Sequence, residues 1–329
     1  MRPFSFTKAG DIASALKINS ETEKAKFIAG GTNLLDLMKF DIMHPKHLID
    51  ITGVALKTIE NTEDGGLRLG ALVSNADTAY HEEVEKRYPL LSNAILAGAS
   101  AQLRNKATNG GNLLQRTRCY YFYDLTTPCN KREPGTGCSA INGYNRLHAI
   151  FGASEQCIAT HPSDMCVALA ALEATVQVTG PNGDRSIAFE DFHRLPGDTP
   201  EKDSNLSEDE IIISIDLPPK GFSENFTYIK NRDRASYSFA LVSMAVGLEM
   251  ENDTIKEARI ALGGVAHKPW RNKEAEALLE NKKATKENFE KVADAIINGA
   301  KAYQYNEFKI ELARRTVVRA LMQAAKIDK

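Results

Sequence analysis

The chain has 329 residues, 43% of them hydrophobic and 26% charged, with a formal net charge of −2 at pH 7. That length and apolar content suffice for a sizeable core divided over two or more domains. A near-neutral balance leaves no electrostatic footprint for nucleic acid or an anionic membrane surface, and no run approaches the ~18 apolar residues of a membrane span, so partners are expected to be proteins or small molecules, with no membrane insertion.

The opening Met1-Arg2-Pro3-Phe4-Ser5-Phe6 leads into ordinary polar sequence rather than a secretory signal. Residues 11–19 are predicted to form a helix, and 26–28, 47–51 and 67–71 short strands, a mixed α/β start. Between the first of these strands and a stretch with helical spacing at 34–39 lies Ala29-Gly30-Gly31-Thr32-Asn33. Predicted helices at 76–85 and 90–97 lead towards a second glycine pair, Thr108-Asn109-Gly110-Gly111-Asn112. A pyrophosphate needs several unoccupied backbone N–H groups converging on it, and a Cβ at the contact would hold the backbone away. Two glycine loops at the ends of apolar runs therefore read as one phosphate cradle built from two places. Neither is GxGxxG, and no GxxxxGK[ST] occurs, so the nicotinamide-type Rossmann and P-loop fingerprints are both missing.

All five cysteines fall between Cys119 and Cys166. An odd number without a secretory signal argues against a disulfide framework and for a metal or redox role. Cys119, Cys129, Cys138 and Cys157 are separated by nine, eight and eighteen residues in text rich in Gly, Pro and Asn. Such a loop can fold back repeatedly and bring four thiolates to one point, as a [4Fe–4S] cube requires. Zinc also accepts four thiolates, usually from close C-x₂₋₄-C pairs that are absent here, so the residues alone leave iron, zinc and free buried thiols open. Tyr120-Tyr121-Phe122-Tyr123 reads as loop packing or as a shield around a cluster, and His148 and His161 are further ligands by chemistry. Cys166, in the apolar run 165–172, reads as a small core residue.

Farther on, 174–179 and 185–187 flank Gly180-Pro181-Asn182-Gly183 as a hairpin. Residues 210–217 form another strand, and Pro218-Pro219-Lys220-Gly221 is the candidate domain boundary. Strands at 225–230, 240–249 and 255–262 and helices at 273–279, 287–300 and 307–325 make a separate C-terminal unit. No nucleophile beside a base, no HExxH and no paired carboxylates appear; no catalytic residue is assigned, and the chemistry is expected to be that of cofactors.

Five stretches occur in order: FIAGGTNLLDLMK (27–39), AGASAQLRNKATNGGNLLQ (97–115), HPSDMCVALAALEA (161–174), DEIIISIDLPP (209–219) and ARIALGGVAHKPWR (258–271). Together they resemble the FAD-binding middle subunit of the molybdenum hydroxylases, over nearly the whole chain. The resemblance implies an α+β fold: a two-lobed FAD-binding domain of the vanillyl-alcohol-oxidase (PCMH) type over residues 1–219, and a small antiparallel sheet with helices, of the CO dehydrogenase flavoprotein C-terminal type, over 220–329. The cysteine-rich segment at 114–160 resembles the cluster-bearing insertion of the bacterial aldehyde oxidoreductase type, which implies a [4Fe–4S] cluster on Cys119, Cys129, Cys138 and Cys157. FAD is expected against Phe27, Ile28, Ala29, Gly30, Gly31, Thr32, Asn33 and Leu34 and against Thr108, Asn109, Gly110, Gly111 and Asn112. Asp164, Ile212 and Lys230 match further FAD-contacting positions. Asn109 stands where relatives usually carry an aliphatic residue, which implies a polar group running towards the flavin. Arg232-Asp233-Arg234 reads as a solvated turn or a docking face.

The implied function is that of an electron-transfer flavoprotein subunit of a heteromeric molybdenum-dependent aldehyde oxidoreductase. Its expected partners are a large molybdenum-cofactor subunit, a small subunit with two [2Fe–2S] clusters and an external electron acceptor. The expected compartment is the cytoplasm, or the periplasm if a signal-bearing partner exports it. A stand-alone FAD-dependent oxidoreductase and a zinc-stabilised scaffold without redox activity are the competing readings.

Overall fold

The computed structural model describes residues 1–327. The first lobe is a parallel sheet in which His47–Asp50 runs between Ser5–Lys8 and Ala25–Ile28. Helix Ile12–Glu21 crosses it, its N-terminus closed by a reciprocal pair of hydrogen bonds between Asp11 and Ser14. The second lobe is an antiparallel sheet in the order Ile59–Asn61, Leu67–Gly70, Ile211–Leu217, Thr175–Gly180, Gly183–Ala188. Its last two strands form the expected hairpin, turning at Pro181-Asn182.

Beyond Gly221 comes an antiparallel sheet ordered Trp270–Arg271, Thr254–Gly263, Val242–Glu251, Phe226–Asn231, backed by helices Lys286–Ile297 and Phe308–Ala324. This sheet has two different faces. Met244, Val246, Leu248, Ile260 and Leu262 pack into the helix-side core. Ala245 and Ala261 face the core of the second lobe, with Ser243 and Gly263 beside them in register. Helix Asp164–Ala171, buried along its whole length, lies against that small-residue face. A Cβ on Gly263 would come within 2.5 Å of Val167 Cγ2, so the absence of a side chain sets the approach distance. Arg271 locks the same contact, donating to Ala170 O at 3.1 Å and pairing with Glu276 and Glu173.

The proline-rich boundary is a seam rather than a loose hinge. Pro218 O accepts from the fully buried Tyr88 at 2.7 Å. A Cβ on Gly221 would come within 1.8 Å of Arg87 O. The helix expected over 76–85 is two, Asn75–Ala79 and Glu82–Arg87. Ser92 Oγ donates to Ala79 O at 2.7 Å, taking a carbonyl that a continuing helix would need, and the chain turns at His81. Among the described residues, no helix is long and apolar enough to cross a membrane.

Candidate cofactor sites

The first glycine loop leaves strand Ala25–Ile28 and enters helix Leu34–Lys39. An ideal Cβ on Gly30 would sit 2.1 Å from Lys106 O and 3.3 Å from Ala107 Cα, so the loop rests directly on the segment leading into the second glycine pair. Gly31 takes a φ of 72°. The N–H groups of Gly30, Gly31, Thr32 and Asn33 meet no acceptor among the described residues, and neither does the buried Nδ2 of Asn33. Asn33 Oδ1 accepts from Arg116 N at 2.9 Å, which holds that amide with its NH₂ free. Four bare backbone donors and an orphaned side-chain amide are the set that a diphosphate needs.

The second loop departs from expectation. It forms a short helix, Asn109–Leu113, whose amides are satisfied within the chain: Asn109 N by Val73 O, Gly110 N by Ala71 O, Gly111 N by Thr108 Oγ1 and Asn112 N by Thr108 O. Its backbone amides are thus not free donors, while Gly111 and Asn112 still line the cavity described below. Asn109 is turned into the lobe instead: it is fully buried, accepting from Asn75 Nδ2 and Thr78 Oγ1 and donating to Gly70 O. A Cβ on Gly110 would meet Ala71 and Ile212, so this glycine serves packing, and Ile212 is core beneath it. Asn112 does reach the cavity side, where its Oδ1 accepts from Ser163 Oγ at 2.5 Å and Gln115 Nε2 at 2.9 Å.

Where the two lobes meet the C-terminal sheet lies a cavity of about 600 Å³. Thr32, Asn33, Gly111, Asn112, Asp164 and Lys230 all line it. Ala29, Gly30 and Thr108 border an adjoining, more open groove with Lys106 and His81. Phe27 packs into the first lobe's core, while Ile28 and Leu34 flank the loop as strand end and helix start. Asp164 Oδ2 accepts from Lys230 Nζ at 2.8 Å and its Oδ1 from Tyr228 Oη at 2.6 Å. The two charged side chains are 8% and 4% exposed, a buried ion pair at the cavity wall. Burial and the Asp164 charge push the Tyr228 hydroxyl well above its usual pKa, so it stays a donor. Sequence reading missed Tyr228, although its i, i+2 relation to Lys230 on one strand face was the available signal. Residues 233–240 roof the cavity. The charged turn there is solvent-exposed yet tied down: Asp233 forms a two-armed pair with Arg146, Arg232 donates to Ala97 O and Arg234 to Tyr237 O.

The cysteine segment turns back as its glycines suggest, with Gly135 and Gly137 at φ of 86° and 103°. Cys119, Cys129, Cys138 and Cys157 all line one small enclosed cavity. Cys129 and Cys138 face each other across an isolated β-bridge. Among the described residues, no three of these sulfurs have their Sγ atoms within 4.8 Å of one another. Tetrahedral zinc with ~2.3 Å Zn–S bonds would hold thiolates ~4 Å apart, a compactness that no three of these sulfurs have among the described residues. The Cys157 thiol donates a hydrogen bond to the Cys138 sulfur, which pushes Cys138 down to about 6 and Cys157 up. Burial pushes Cys119 up to about 12. His148 Nε2 lies 3.1 Å from Cys119 Sγ, and burial lowers this imidazole to about 4, so it is neutral.

Two buried lysines brace the segment. Lys131 Nζ reaches Asp203 at 2.5 Å and Pro200 O at 2.7 Å, and Arg116 holds the other Asp203 oxygen. Lys309 Nζ donates to the carbonyls of Gly264, His148 and Leu147 at 2.6, 2.8 and 3.4 Å. Burial pulls this amine down to about 7, and the three carbonyls match the three donors of its protonated form.

Residues 2–220 match the FAD binding domain in molybdopterin dehydrogenase, and residues 227–324 the CO dehydrogenase flavoprotein C-terminal domain. The chain is 50% identical to the aldehyde oxidoreductase FAD-binding subunit PaoB of Escherichia coli, over 98% of this chain and 99% of that one. It is 25% identical to the glyceraldehyde dehydrogenase medium chain of Sulfolobus acidocaldarius, over 89% of this chain and 86% of that one. A solved carbon monoxide dehydrogenase from Hydrogenophaga pseudoflava superimposes with a TM-score of 0.76 at 26% identity, covering 98% of this chain and 97% of that one.

Proposed function

The chain belongs to the FAD-binding medium subunits of the molybdenum hydroxylases, and within such a multisubunit oxidoreductase we propose that it is the FAD- and [4Fe–4S]-carrying electron-transfer subunit of an aldehyde oxidoreductase. It would pass electrons from a large molybdenum subunit and a small [2Fe–2S] subunit to an external acceptor. The observation that carries the FAD part is the set of four unpartnered amides at Gly30, Gly31, Thr32 and Asn33, beside a cavity walled by the Asp164–Lys230 pair. The aldehyde class rests on the likeness to the Escherichia coli subunit. The cluster reading is supported by four cysteines that line one small cavity. Residues 1–219 are assigned to the flavin unit and 220–329 to the C-terminal unit, supported by the gap between the two family matches.

When bound, FAD supplies the exchange of electrons singly or in pairs. The chain's own part is to hold and shield it. The loop amides and Asn33 Nδ2 donate to the diphosphate, and Asn112 orders the second loop against Ser163. Lys230 and Asp164 neutralise each other, presenting Lys230 without a net buried charge. The roof at 233–240 limits water, latched through Asp233 to Arg146 of the cysteine segment. Cys119 lines both cavities, so the cysteine site and the flavin site share a wall.

The test is the colour and metal content of the purified complex. Flavin bands with a broad brown shoulder and about four irons per chain are expected from this subunit. Cys129→Ser and Cys138→Ser lose that iron and keep FAD, whereas Cys166→Ser keeps both. A complex with no iron beyond that of its [2Fe–2S] subunit and with zinc in the four-cysteine cavity, or equal iron loss in all three variants, would overturn the reading.

A further inference from the structure

A second group of metal-binding side chains lies away from the four cysteines. His161 enters helix Asp164–Ala171, Cys166 sits in that helix's first turn, and His193 follows the short helix Phe189–Phe192. One donor atom from each of the three lies within 4.8 Å of the others. All three are buried, at 9%, 0% and 3% exposure.

One nitrogen of each imidazole is unspent. His193 Nε2 faces Leu113 O at 2.9 Å, and since a carbonyl can only accept, the proton sits on Nε2 and Nδ1 is a bare lone pair. His193 Nδ1 and His161 Nε2 find no hydrogen-bond partner among the described residues. The two rings lie 4.3 Å apart between centroids without bonding to each other. His267, also buried, has both ring nitrogens without a partner among the described residues. Leaving a buried polar atom unpaired is costly, so several together mark a place made for something to bind.

We propose that His161, His193 and Cys166 form a mononuclear metal site that takes a borderline-soft divalent cation, Zn²⁺. Two imidazoles and one thiolate are zinc ligands rather than magnesium or calcium ligands. The carbonyl of Leu113 fixes the His193 tautomer from behind, the outer-shell contact that ligating histidines ordinarily have. His161 also borders the large cavity, which gives the ion an entry path and a fourth, open position for water. On binding, each imidazole donates a lone pair, the Cys166 S–H bond breaks as S–Zn forms, and the proton leaves to water; nothing is oxidised or reduced. The ion ties residue 193 to the helix carrying Asp164, and its compact ligand set separates it from the wider four-cysteine cavity.

The test is metal analysis of the full complex produced in zinc-supplemented medium, with zinc-edge X-ray absorption. The proposal requires about one zinc per chain of this subunit, with one sulfur and two nitrogens in its first shell. Cys166→Ala and His193→Phe should each lose that zinc while iron and FAD content stay, and Cys138→Ser should lose iron while zinc stays. Absorption by the unaltered complex does not depend on any variant folding. Zinc far below one per chain, a four-sulfur zinc spectrum, or zinc retained in both Cys166→Ala and His193→Phe would overturn it.

Discussion

Gly30 has nowhere to put a side chain, since an added Cβ would sit 2.1 Å from Lys106 O. Gly30→Val should therefore lower FAD content of the purified complex roughly tenfold or more, while Gly10→Ala, with nothing within 4 Å of its Cβ, should leave it unchanged. Loss of FAD in both, or in neither, would show that close approach at Lys106 is not what matters. The Asp164–Lys230 pair makes an asymmetric prediction. Asp164→Asn or Lys230→Met alone strands a buried charge and should cost about 3–5 kcal/mol in denaturant unfolding, with the double variant recovering part of it. Additive losses would mean that the pair is not coupled. At this scale the sequence was informative about identity but not about use. The first glycine pair presents bare amides as expected, whereas the second spends all of its own. Asn109 looks the same in text whether its amide faces a cofactor or, as here, three partners inside the lobe. Which neighbour a buried amide meets is decided by tertiary packing, which no local pattern carries.

The most constrained element is helix Asp164–Ala171, enclosed between Pro89–Ala97 on one side and the small-residue face of the C-terminal sheet on the other. Gly263→Val should destabilise by about 1–3 kcal/mol through overpacking against Val167, a fall visible as a lower denaturant midpoint at unchanged slope. No shift in midpoint would mean that the sheet can back away from the helix. Most long elements were legible because their signals are local: Pro89 at the first position of its helix, Thr285 capping Lys286–Ile297, and the Pro181-Asn182 turn. The broken helix at Tyr80 and the edge strand Ser5–Lys8 were not, because Ser92 and the parallel pairing with His47–Asp50 that cause them come from elsewhere in the chain.

For the molecule as a whole, acid should act through Asp203, which joins the cysteine segment to residues 200–203. Burial by itself would raise this carboxyl, but the Lys131 and Arg116 charges overrule it and hold its pKa well below the usual carboxylate range. A depressed folded-state pKa contributes stability that is present above the unfolded value near ~4 and is lost as pH falls further. The melting temperature should thus decline below about pH 4, and Asp203→Asn should lower it at pH 7 while narrowing the gap to the unaltered protein in acid. A gap that widens in acid would exclude this carboxylate as the cause. The Lys309 socket has a different bearing, on the order of events during synthesis. The carbonyl of His148 that it grips lies 161 positions earlier in the chain. The cysteine stretch thus leaves the ribosome long before its anchor exists, and its walls can close only once helix Phe308–Ala324 has docked.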